Sequence, residues 1–126
     1  MKRLVAILVA LITWYSISHA NTPTIEAKRK WTIEDSKLYA KDQINAWSIK
    51  QYNCLVKLWH KESNWRPNAY NKEKVMGRNA GGIPQLLGLS PMTPATEQIE
   101  RGLDYVYVRY TTPCLALKFH NKYGWY

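Results

Sequence analysis

The residues best suited to chemistry are Glu62-Ser63-Asn64-Trp65-Arg66-Pro67-Asn68-Ala69, followed by Ala80-Gly81-Gly82-Ile83-Pro84-Gln85. Glu62 ends a run in which Tyr52, Leu55, Leu58 and Trp59 recur at helical spacing, so its carboxyl shares their inward face. Desolvation disfavours the charged form of such a group, and the negative end of the helix dipole pushes the same way. A carboxyl kept protonated near neutral pH is a general acid in waiting. The structural alternative is an ion pair with Lys61, Arg66 or Arg78. The glycine-rich turn that follows delivers Gln85, whose side chain both donates and accepts hydrogen bonds.

Positioning Glu62 requires a helix over about Ser48–Ser63, ended by Pro67 because the residue before a proline avoids helical geometry. A helix begins upstream near Asp35 or Ser36, either of which could cap it, with Leu38, Tyr39, Ile44 and Trp47 sharing part of a face. Residues 64–92 hold four of the six glycines and three of the six prolines, which predicts an irregular loop that can hold a short hairpin, rather than a helix. Thr93-Pro94 then opens a helix with the stripe Ile99, Leu103, Val106 and Tyr110. Thr112-Pro113 opens a last one, ended near Gly124. The expected fold class is mainly α: a small helical domain with an irregular region after the acid-bearing helix.

Residues 1–20 have the form of an export leader. Lys2 and Arg3 precede the apolar run Leu4–Ile12, and Ser18-His19-Ala20 offers a small-x-small cleavage site. The run is about half of what spans a bilayer, so no stable membrane insertion is expected after cleavage. The 21–44 segment is then a polar lead-in plus first helix, and residues 45–126 form the principal domain. Location is expected to be exported: periplasmic, wall-associated or extracellular.

The mature part carries 16 Lys and Arg against nine Asp and Glu, a net charge of +7. Such a chain suits an anionic partner. Lys28-Arg29-Lys30 is the only basic run and no nucleic-acid-binding signature accompanies it, so nucleic acid is not the expected partner. No strongly amphipathic basic helix argues for membrane disruption. Cys54 and Cys114 most simply form one disulfide in an exported protein, worth up to ~4 kcal/mol on the chain-entropy model. His60 and His120 have neither paired spacing nor a third ligand, so no metal and no other cofactor is expected. Gly77–Gly82 lacks the Lys-Ser/Thr of a phosphate-cradling loop.

The ordered set Glu62-Ser63-x-Trp65-x-Pro67-x-Ala69 and Ala80-x-Gly82-Ile83-x-Gln85 resembles the signature of soluble lytic transglycosylases of the goose-lysozyme-like type. The likeness continues through Gln98-Ile99-x-x-Gly102-x-x-Tyr105 and Arg109-Tyr110, and covers about residues 45–126. It implies a lysozyme-like fold, peptidoglycan glycan strands as partner, and a monomer. It also implies cleavage of the MurNAc–GlcNAc β-1,4 bond with a 1,6-anhydro product, Glu62 acting as single acid/base. Ser63 corresponds to the serine beside that acid, Gln85 to the glutamine of Gly-Leu-Met-Gln, and Tyr110 joins the groove. His120-Asn121 stands where the family has Tyr-Asn, Pro84 replaces the methionine, and Lys122-Tyr123-Gly124 replaces the usual Ala-Gly.

Glycosidases that use water need two carboxylates about 5–9.5 Å apart, and Glu73 is the candidate second acid for a lysozyme-type hydrolase. A third reading is a wall-binding module without turnover. Among the aromatic residues Trp59 reads as core, while Trp65, Tyr70, Tyr110 and Trp125 are candidates for stacking on sugars.

Overall fold

The structure, a computed structural model, describes residues 29–44 and 46–126. The expected leader, its cleavage after Ala20 and the lead-in before residue 29 lie outside the described residues. Among those, the chain is mainly α: α1 (Ile33–Gln43), α2 (Ile49–Ser63), α3 (Ala95–Tyr110) and α4 (Pro113–Tyr123) surround a small sheet of β1 (Tyr70–Val75), β2 (Arg78–Gly81) and β3 (Leu86–Leu87).

Helix α1 starts earlier than Asp35. Thr32 is its N-cap, accepting from the Asp35 amide, while the Asp35 carboxylate accepts from the Thr32 amide at 2.8 Å. This reciprocal capping box satisfies two orphan donors at once. Asp35 therefore caps from the third helical position, which spacing alone does not reveal. The buried face is Ser36, Ala40 and then Ile44, whereas Leu38 is 60% exposed. Small residues at that face let α1 lie close against α3, where the Tyr39 hydroxyl donates to Glu100.

Helix α2 keeps the expected register, with Leu55, Leu58 and Trp59 fully buried. Its end is set before Pro67. Asn64 (φ 53°) and Trp65 (φ 61°) both turn left-handed, and the Asn64 amide donates back to His60 O at 3.0 Å. Trp65 folds inward to 1% exposure, packs edge-on against Trp59 at 5.0 Å and donates to Val56 O. It belongs to the core and is not available for sugar stacking.

The segment expected to be an irregular loop with a short hairpin holds that hairpin, β1-β2, extended by the two-residue β3 into an antiparallel sheet in the order β1-β2-β3. A two-residue Met76-Gly77 turn joins β1 to β2, pairing Val75 with Arg78 and Tyr70 with Gly81. Between Tyr70 and Lys74 the register shifts, and Asn79 Nδ2 fills the gap by donating to Asn71 O and Lys72 O, each at 3.0 Å. β1 is exposed at every position, so it carries no apolar alternation for a sequence reading to find.

Helix α3 begins one residue later than expected, with Pro94 as N-cap rather than first helical residue. Its stripe buries Ile99, Leu103 and Val106 as expected, and Gln98 and Gly102 besides. Helix α4 has the expected limits: Thr112 caps it, Pro113 opens it, and Gly124 (φ 80°) closes it. The Cys54–Cys114 disulfide ties α2 to α4, and beside it the Cys114 amide donates to Gln51 Oε1 at 2.9 Å. One apolar cluster joins all four helices and Ile83 of the turn after β2. Each large side chain buried there contributes about 1.5–3 kcal/mol.

Candidate active site

Glu62 lies in the last turn of α2, on the stripe of Leu55, Leu58 and Trp59, with 16% of its side chain exposed. Its partner is none of the cations expected from sequence: among the described residues no Lys or Arg nitrogen lies within 4.0 Å of its carboxylate. Instead Oε1 stands 2.7 Å from Nε2 of His120, whose side chain is 13% exposed. His120 comes from the last turn of α4, and its carbonyl accepts the Gly124 cap at 2.7 Å. The disulfide between α2 and α4 holds the two helices that carry the pair.

Burial pushes the Glu62 carboxyl up to about 7. Burial also lowers His120 below the ordinary histidine value, and the positive charge of Lys61 adds to that. Both shifts favour the neutral forms, a protonated carboxyl beside a neutral imidazole. One carboxyl oxygen is thus oriented by His120, while the group as a whole remains an acid near neutral pH.

Beneath the pair, Tyr126 folds back into the domain. Its hydroxyl accepts from Trp59 Nε1 at 2.9 Å and donates to Pro84 O at 2.7 Å. Burial, with the nearby Glu62 charge second, raises the phenol well above its ordinary value, so it stays a neutral donor. Its ring centroid lies 6.5 Å from that of His120.

The Gly82–Gln85 turn is pinned from several sides. Ser63 Oγ donates to Ile83 O at 2.6 Å. Gln98 Oε1 accepts from the Ile83 amide at 2.8 Å, and its Nε2 donates to Pro67 O at 2.9 Å and Thr93 O at 2.8 Å. Gly82 has φ 72°, and a Cβ there would come within 2.7 Å of Gln98 Cδ, so glycine is required for both conformation and space. Gln85 itself sits at φ 52° with Nε2 donating to Gly82 O at 3.0 Å and Ala69 O at 3.3 Å.

The sequence-expected residues thus separate into roles. Glu62 and His120 are brought together. Ser63 is 3% exposed with its proton committed to Ile83, so it braces the turn against α2 and does not reach a ligand. Gln85 is half-buried and spends its amide protons on the backbone carbonyls of Gly82 and Ala69. Tyr110 is half-buried, two rings away from His120: its centroid lies 6.0 Å from that of Tyr126. Its hydroxyl is buried beside the Arg109 and Tyr105 side chains and makes no well-aligned hydrogen bond among the described residues. Glu73 sits on the fully exposed β1.

Gln98 and Tyr126 are the site-building residues that sequence reasoning assigned no role. The hints for Gln98 are its place beside an apolar stripe and at the head of the Gln98-Ile99-x-x-Gly102-x-x-Tyr105 pattern. Tyr126 gives no local signal, because its partners Trp59 and Pro84 are distant in the chain.

Two concavities flank these groups without containing Glu62. One of about 690 Å³ is lined by Tyr70, Arg78, Asn79 and the Gly88–Pro91 turn. Another of about 450 Å³ runs along α2 and α4, past Val56, His60, Lys61 and Asn121. Among the described residues no three His, Cys, Asp or Glu gather into a cation site, and no helix is long and apolar enough to cross a membrane. Comparison with family models, with curated proteins and with solved structures finds no match.

Proposed function

We propose that this chain cleaves the glycan strand of peptidoglycan as a lytic transglycosylase, with Glu62 serving as both acid and base. The observation that carries the reading is the Glu62 carboxyl, raised to about 7 by burial and held at 2.7 Å by a neutral His120. A lone acid poised at neutral pH suits protonation of a glycosidic oxygen.

In this mechanism Glu62 gives its proton to the oxygen between N-acetylmuramic acid and N-acetylglucosamine, and the C1–O bond breaks. The carboxylate so formed stabilises the developing positive charge at C1. It then takes the proton from the muramoyl C6 hydroxyl as that oxygen attacks C1 and closes the 1,6-anhydro ring. The carboxyl returns to its starting state, and neither water nor a second carboxylate takes part. His120 fixes one oxygen of Glu62 and leaves the other for the substrate. The exposed position of Glu73 on β1 gives no support to a paired-carboxylate hydrolase.

An exported location, in the periplasm, at the wall or outside the cell, accords with the leader-like first 20 residues and with the Cys54–Cys114 disulfide. The net charge of +7 on the mature part favours an anionic wall.

The test is solubilisation of purified cell wall by wild type and by Glu62→Gln, both confirmed folded by circular dichroism. Removing the acid should slow release by at least about a hundredfold. Undiminished release by the variant would overturn the assignment.

A further inference from the structure

Arg109, in the last turn of α3, is surrounded by aromatic rings and not by acids. Its guanidinium lies 5.3 Å from the Trp125 centroid, 5.7 Å from Tyr110 and 5.9 Å from Tyr105. Among the described residues no carboxylate oxygen comes within 4.0 Å of it. Ring faces can hold a guanidinium in place through cation–π attraction, and the one polar group they bring beside it, the Tyr110 hydroxyl, is neutral and makes no well-aligned bond to it. The forked donor edge of Arg109 is therefore positioned and left without an anionic acceptor.

The surroundings suit a sugar. Trp125 is 51% exposed and packs edge-to-face with Phe119 at 4.9 Å, so a large ring is held at the surface beside the cation. The rings around Arg109 also pack toward the acid: Tyr105 lies 5.5 Å from Tyr126, Tyr126, whose hydroxyl is buried, lies 6.5 Å from His120, and His120 touches Glu62. Packed rings thus join the candidate bond-breaking group to the cation.

We propose that Trp125, Tyr105 and Arg109 form a subsite that reads a carboxylate carried by the glycan, the sugar ring stacking on Trp125 while the guanidinium binds the anion bidentately. This rests on the reading of Glu62 as a glycan-cleaving acid. Peptidoglycan offers two sources of that carboxylate: the lactyl group of an unsubstituted muramoyl residue, or the peptide attached to it. A chitin oligosaccharide offers neither.

Binding is measured by tryptophan fluorescence and calorimetry on the non-cleaving Glu62→Gln protein, so that turnover does not enter. Three probes are compared: chitin tetrasaccharide, peptide-stripped strands with free lactyl carboxylates, and peptide-bearing strands. A charge-assisted bidentate contact should favour a carboxylate-bearing strand over chitin by about tenfold or more. Preference for stripped strands assigns the lactyl group, and preference for peptide-bearing strands assigns the peptide.

Arg109→Gln should abolish the preference, and Arg109→Lys should retain part of it. Arg101→Gln, which removes an exposed charge paired with Glu97 elsewhere on α3, should leave it intact. Equal affinity for all three probes overturns the proposal, as does an equal loss in the Arg101 variant, which would reduce the effect to net charge. A failed cleavage reading appears separately, as absence of product from the wild-type enzyme.

Discussion

Replacing Glu62 with glutamine tests the desolvation of this carboxyl independently of any substrate. In the unfolded chain the group titrates near its ordinary 4.5, and in the folded protein near about 7. Between those values the folded state holds more proton than the unfolded chain. The stability contributed by Glu62 is therefore full below the unfolded value and lost as pH rises through about 7. At about 1.4 kcal/mol per pH unit, the interval from 4.5 to about 7 sets a ceiling of roughly 3 kcal/mol. Solvent reaches part of the side chain, so about 2 kcal/mol is the expected loss.

His120 works in the opposite sense. Burial lowers its folded value, so its contribution is present above the ordinary histidine value and lost as pH falls through the lower one. The wild type thus sums two opposed slopes, and Glu62→Gln unmasks the histidine slope alone. The assay is urea unfolding followed by circular dichroism, disulfide intact, at steps between about pH 4.5 and 7.5. The stability of wild type relative to Glu62→Gln should fall by about 2 kcal/mol across that range. A difference flat to within about 0.5 kcal/mol would refute the desolvation on which the acid role depends.

The remaining expectations concern the scaffold and the pair. Gln98→Leu leaves the Ile83 amide and two backbone carbonyls without their buried partner, and should cost about 3 kcal/mol in thermal unfolding; a loss below about 1 kcal/mol would contradict its clamping role. His120→Ala opens the Glu62 carboxyl to water and relieves the burial that raises it, so the alkaline limb of kcat/KM should move to lower pH by roughly half a unit or more. An unmoved limb would mean that His120 does not help to desolvate Glu62. Cys54→Ser with Cys114→Ser opens a cross-link spanning 60 positions and should cost about 3–4 kcal/mol by urea unfolding; a loss under about 1 kcal/mol would show that packing alone joins α2 to α4.

Much of the helical frame was legible because local signals agree with the tertiary outcome. The α2 stripe of Leu55, Leu58, Trp59 and Glu62 follows the helix period, and Thr112-Pro113 and Gly124 mark α4 at both ends. The pattern misled where side-chain size outweighed hydropathy: Ser36 and Ala40 face the core, and Leu38 does not. β1 was hidden because Tyr70–Val75 is exposed on both faces and owes its form to pairing across the Met76-Gly77 turn. In the site, Glu62 was visible from its own register. Its pairing with His120, the role of Gln98 and the return of Tyr126 are contacts between residues far apart in sequence, for which spacing carries no signal.

The most direct test of a single carboxyl working without water is digestion of purified peptidoglycan in heavy-oxygen water, followed by mass spectrometry of the new muramoyl ends. With Glu62 as sole acid and base, those ends are lighter by one water than reducing ends and carry no heavy oxygen. Reducing ends bearing one heavy oxygen at C1 would contradict this, making water the acceptor and requiring a second group to activate it.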